Sequence, residues 1–147
     1  MERRGGAGSG HERGSGHERG AVVSAGSPPD GFVRISTHVL DTVRGEPARN
    51  IEVRLDRRDS GGWAPVAHGR TDHDGRLTDW TPLLDRVPLR GWQAGGYRLV
   101  FLVERYYPPG AAFFPEIVVS FQITDPDRHH HVPLLLSPYG YTTYRGS

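Results

Sequence analysis

The sequence predicts an all-β protein: a two-sheet antiparallel β-sandwich with at most one short helix. Three observations predict it. Short runs alternate apolar and polar residues with period two and are rich in β-branched side chains. Turn signals built on Gly, Pro and Asp separate these runs at short intervals. No stretch carries an apolar stripe of period 3.6. A sheet that is apolar on one face must cover that face, and a second sheet is the simplest cover.

The first run follows the turn Pro28-Pro29-Asp30-Gly31. Val33, Ile35, Thr37 and Val39 share one parity there, with Arg34, Ser36 and His38 on the other. After Arg44-Gly45-Glu46-Pro47 comes a second run, in which Ile51, Val53 and Leu55 alternate with Glu52, Arg54 and Asp56. Ser60-Gly61-Gly62 then leads into Trp63–Thr71, and Asp72-His73-Asp74-Gly75 ends that segment. Asp79–Val87 has room for one helical turn, restricted by Pro82 and Pro88. Tyr97–Val103 is apolar at most positions, which predicts a strand covered on both faces. Beyond Pro108-Pro109-Gly110, Ile117, Val119, Phe121 and Ile123 alternate with Val118, Ser120, Gln122 and Thr124. His129–Ser137 and Tyr141–Ser147 are the last two candidate strands.

Composition separates a tail from this domain. The chain has 147 residues, with 20 Gly, 12 Pro and 35% hydrophobic residues, a thin core for that length. The deficit is local, because residues 1–30 hold 8 of the Gly, repeat GSGHER in tandem and contain almost no large apolar side chain. Such a segment cannot bury enough area to offset its backbone entropy. Residues 1–30 therefore read as a disordered tail and residues 31–147 as one domain.

The same counts exclude several classes. There is no Cys, hence no disulfide framework, thiol nucleophile or Cys-ligated zinc. All 18 basic residues are Arg, so neither a Schiff-base lysine nor a P-loop lysine is available. A net charge of +1 supplies no global field for nucleic acid. No apolar run approaches the ~20 residues of a membrane span. No signal-type apolar segment opens the chain, which predicts a cytoplasmic protein with no membrane partner.

Candidate chemistry lies in imidazoles and one guanidinium. In a strand, His129 and His131 point to one face and His130 to the other. His38 projects from the polar face of the first run. Arg76 follows a tight turn and is able to offer a forked cation to a carbonyl or developing oxyanion. Imidazole titrates near neutrality, so this set suits hydrolysis or proton transfer on a polar heterocycle. His38, His129 and His131 would equally suit a zinc site with an open water position. Ser36, Ser120 and Ser137 sit in no nucleophile elbow.

Several segments carry a specific resemblance. Ser36-Thr37-His38-Val39-Leu40-Asp41-Thr42, Thr71-Asp72-His73-Asp74-Gly75-Arg76 and Phe113-Phe114-Pro115-Glu116 are three of them. His129-His130-His131-Val132-Pro133-Leu134-Leu135-Leu136-Ser137-Pro138 and the closing Tyr139–Ser147 are the most specific. Together they resemble the transthyretin-like 5-hydroxyisourate hydrolases across residues 33–147. The resemblance implies a prealbumin-type sandwich assembled as a homotetramer, with sites in a channel at the dimer–dimer interface. It implies a purine-derived small-molecule substrate, 5-hydroxyisourate, opened to 2-oxo-4-hydroxy-4-carboxy-5-ureidoimidazoline without cofactor or metal. It implies catalytic roles for His38, Arg76 and His131, and substrate binding by His129, Tyr144 and Ser147. Tyr144 and Ser147 have opposite parity, so Ser147 acts through a bent chain end or through a terminal carboxylate. His130 stands where the family commonly has Tyr. The hormone carrier transthyretin shares the implied fold without this His/Arg set.

Overall fold

The computed structural model describes residues 34–83 and 93–147. The expected tail and the Pro88 region lie outside the described residues. Among the described residues eleven strands form two sheets. They are β1 (Ile35–Asp41), β2 (Glu46–Pro47), β3 (Glu52–Asp59), β4 (Gly62–Arg70), β5 (Arg76–Leu77), β6 (Thr81–Pro82), β7 (Gly95–Leu102), β8 (Glu116–Ile123), β9 (His130–His131), β10 (Leu134–Ser137) and β11 (Gly140–Thr143). The described helical structure is a single 3₁₀ turn, Glu104–Tyr106. Among the described residues no helix is long and apolar enough to cross a membrane.

One sheet orders β6-β4-β3-β7-β8 and is antiparallel throughout. Its inner face carries Val53, Leu55, Leu99, Phe101, Ile117 and Ile123, all buried. β4 takes an extra residue, Val66, where the register shifts opposite Leu55 and Asp56. Pro65 beside it has no N–H to offer the ladder, so a bulge suits that place. The two-sided burial expected of Tyr97–Val103 appears in β7, where Val100 and Phe101 are both fully buried. On the outer side the Asp56 carboxylate, 1% exposed, accepts Arg54 Nε at 2.7 Å and Arg98 Nε at 2.7 Å.

The second sheet is built around β1, with β10 and β11 on one side and β2 on the other. It is mixed: β1 runs antiparallel to β2 and β5 but parallel to β9 and β10. Alternation alone reports a face and carries no strand direction, so the parallel pairs were not legible in it. The expected His129–Ser137 strand is interrupted at Val132-Pro133 and becomes β9 and β10. Pro133 lacks the N–H a continuous ladder needs. The expected last strand stops at Thr143, after which Gly146 bridges back to His131.

These pairings position the polar face of β1. Ile35, Thr37 and Val39 enter the core between the sheets. The register sets Ser36 opposite His131 and His38 opposite Arg76. The turn before Arg76 is held by Asp72, whose Oδ1 accepts the N–H groups of Asp74 (2.8 Å) and Arg76 (3.0 Å). Gly75 closes it at φ +75°, a left-handed conformation that favours glycine.

Candidate active site

A cavity of about 180 Å³ opens over the polar face of β1, lined by Ser36, Arg76, Thr78, His129, His131 and Ser147 among others. Four distant segments contribute to it. β1 supplies Ser36, the turn and β5 supply Arg76, the β9 segment supplies both imidazoles, and the chain end supplies Ser147. His129 and His131 share a face, their ring centroids 6.3 Å apart and tilted by 52°. Both reach one atom: Ser36 Oγ lies 2.7 Å from His129 Nε2 and 2.8 Å from His131 Nδ1.

His38 stands in register with Arg76 but does not line this cavity. Its Nε2 donates to the carbonyl oxygen of Asp74 at 2.9 Å. A carbonyl only accepts, so neutral His38 keeps its lone pair on Nδ1. Tyr144 belongs to a second groove, of about 310 Å³, with Val119, Phe121, His130, Val132 and Arg145. His131 borders both spaces. Within one chain, Tyr144 and Ser147 thus line different cavities. A wider groove of about 620 Å³ between Arg49 and Glu116 holds none of the candidate residues.

Burial and nearby charge disfavour the charged form of His129, His130 and His131. Burial pushes the His131 pKa below its ordinary 6.5, and the neighbouring His129, His38 and Arg76 push the same way. Burial also lowers His129, with help from Arg34 and His130. His130 is lowered by burial first, with Arg145 and Arg128 acting the same way against the Arg128 backbone and Asp125.

The zinc arrangement open to the sequence requires His38, His129 and His131 to converge. They do not: His38 bonds the Asp74 carbonyl, while the other two bond Ser36. Among the described residues, the group whose possible ligand atoms come together is Asp72, His73 and Asp74, an exposed turn. Asp72 Oδ1 is already engaged by two backbone N–H groups there.

Ser36 was missed as a site residue. It sits two positions before His38 on the same parity, which was the available signal, but its partners are 93 and 95 residues away.

A two-sheet prealbumin-type sandwich with an imidazole–guanidinium cluster beside β1 defines the class. The chain belongs to the HIUase/Transthyretin family, which it matches over residues 35–146. A relative in Salmonella dublin named 5-hydroxyisourate hydrolase is 43% identical over 115 residues, covering 77% of this chain and 80% of its own. Among solved structures, (S)-allantoin synthase aligns with TM-score 0.64 and 35% identity over 78% of this chain, which spans 43% of that chain. Klebsiella pneumoniae 5-hydroxyisourate hydrolase aligns with TM-score 0.62 and 28% identity, covering 79% of this chain and all of its own. Sea bream transthyretin in complex with thyroxine gives TM-score 0.63 and 28% identity, covering 77% and 94%.

Proposed function

We propose that this chain hydrolyses 5-hydroxyisourate to 2-oxo-4-hydroxy-4-carboxy-5-ureidoimidazoline, a step of urate degradation. The observation that carries the reading is the shared cavity, in which Arg76, His129, His131 and Ser147 meet from three distant segments. His131, neutral near pH 7, takes a proton from water, and the water attacks the ring carbonyl next to nitrogen. Arg76 presents a fixed cation to the developing oxyanion. The leaving nitrogen then takes a proton from an imidazole, His131 or His38. His129 and Ser147 hold polar edges of the substrate. Tyr144, across His131 in the second groove, contacts substrate only if the two spaces join on assembly.

The working form in this reading is a homotetramer with sites at the dimer–dimer interface. Exposed aromatic surface supports association: Phe113 is 66%, Tyr139 79% and Tyr144 56% exposed. So do the outer strands β8 and β11, each with one edge unpaired among the described residues.

An ultraviolet assay in which urate oxidase generates the unstable substrate in place tests the activity. The expected result is decay of the 5-hydroxyisourate absorbance well above the spontaneous rate. Ligand retention with unaccelerated decay would make the chain a carrier of the transthyretin kind.

A further inference from the structure

Ser36 stands where the two histidines meet. It is 3% exposed and fixed on β1, and its carbonyl accepts the Val132 N–H at 2.9 Å. Its hydroxyl oxygen touches His129 Nε2 at 2.7 Å and His131 Nδ1 at 2.8 Å. A hydroxyl has one proton and two lone pairs. It donates to only one ring at a time, so at least one of the two contacts is an N–H donated by an imidazole. The protonation patterns of the two rings are therefore not independent.

Resting on His131 as the base of the proposed hydrolysis, we infer that Ser36 is a positioning residue that selects the His131 tautomer by bridging it to His129. The Ser36 oxygen accepts Nδ1–H of His131, and its own proton goes to Nε2 of His129. Two consequences follow for neutral rings. His131 keeps its lone pair on Nε2, the nitrogen left to reach water. His129 carries its proton on Nδ1. The opposite orientation would put a proton on His131 Nε2 and leave that ring unable to take one there.

The catalytic step then balances simply. An O–H bond of the attacking water breaks and an N–H bond forms at His131 Nε2. The ring becomes an imidazolium, and its Nδ1–H bond to Ser36 becomes charge-assisted and stronger. The proton at Nε2 leaves later to the departing nitrogen, which restores the starting tautomer. Burial, His129, His38 and Arg76 disfavour the charged ring, and the Ser36 backbone acts against them by favouring it.

Two variants of the full chain and one spectrum test this. Ser36→Ala removes the hydroxyl with little change in volume, and Ser36→Thr keeps it. Against 5-hydroxyisourate, Ser36→Ala is expected to lose about 10²-fold in kcat with KM changed less than about threefold, and Ser36→Thr to stay within about threefold of wild type. Long-range ¹H–¹⁵N spectra of histidine-labelled, substrate-free protein read the tautomers directly. The wild type is expected to show Nδ1–H on His131 and on His129, and Ser36→Ala a mixture at His131. A Ser36→Ala kcat within threefold of wild type overturns the inference, as does neutral His131 protonated at Nε2. Should a variant fail to fold, the wild-type spectrum decides alone. That spectrum needs no substrate. Bridged tautomers in a protein that leaves 5-hydroxyisourate untouched overturn the hydrolase reading, whereas full turnover with unlinked tautomers overturns only the role of Ser36.

Discussion

His131 gathers more of the site than any other residue. It borders both grooves, bonds Ser36 and feels the charge of His38, His129 and Arg76. His131→Ala is expected to lower kcat by about 10²–10⁴-fold, the span of a lost general base. Arg76→Ala is expected to cost about 10²–10³-fold, as for a lost oxyanion donor. Both are read in the coupled ultraviolet assay on protein whose assembly is unchanged by light scattering. The pH dependence has a definite sign. His131 is lowered in the folded protein, so its neutral form, the base of the proposed hydrolysis, persists below pH 6.5 and disappears as pH falls through the depressed value. The acid limb of kcat/KM should therefore lie below 6.5. A limb at or above 6.5 in a pH–rate series would remove His131 as the base. The lowered histidines also make folding less favourable as pH falls below 6.5, because the unfolded chain binds their protons first.

Among the elements, β1 organises the chemistry through register. A one-residue slip would turn Ser36 and His38 into the core and Thr37 out of it. The chain end is held to β9 by the Gly146 N–H, which donates to the His131 carbonyl at 2.9 Å. A Cβ at position 146 would come within 2.5 Å of His131 Cδ2. Gly146→Ala is therefore expected to displace the imidazole, with overpacking strain of about 1–3 kcal/mol. A shift of about 1 Å at a catalytic group costs about 10²-fold in rate. Melting curves beside kcat measure both effects, and an Ala variant with wild-type turnover would show that the ring does not depend on this contact. On the other sheet, burial raises the Asp56 carboxyl, but hydrogen bonds from Arg54 and Arg98 overcome this and hold it below 3.8. Its contribution is present above pH 3.8 and is lost as pH falls through the lowered value. Asp56→Ala should cost about 2–3 kcal/mol in urea unfolding, since two partly exposed guanidiniums lose their partner, while kcat is unchanged.

For the whole molecule, the family match spans residues 35–146 and leaves the first thirty outside. A truncation beginning at Gly31 is expected to keep kcat within about twofold, because no matched position lies before it. A large loss would give the GSGHER repeat a role in turnover. Light scattering at micromolar concentration is expected to give four subunits, and a fully active monomer would overturn the interface site.

Strand positions, core parity and turn chemistry were legible in the sequence because they are local. Ile35, Val39, Val53 and Ile117 declare a face within a few residues, and Asp72 and Gly75 declare their turn. His129 and His131 were legible as a same-face pair for the same reason. By itself the sequence determined that the chain makes a β-sandwich and offered imidazole and guanidinium groups as its candidate chemistry. Only the tertiary structure decided that β1 runs parallel to β9 and β10, that Ser36 joins two histidines, and that His38 turns to the Asp74 carbonyl. It likewise decided that Tyr144 lines a different groove from Ser147. These facts depend on which distant strand lies beside β1 and in what register, which periodicity within a strand does not encode.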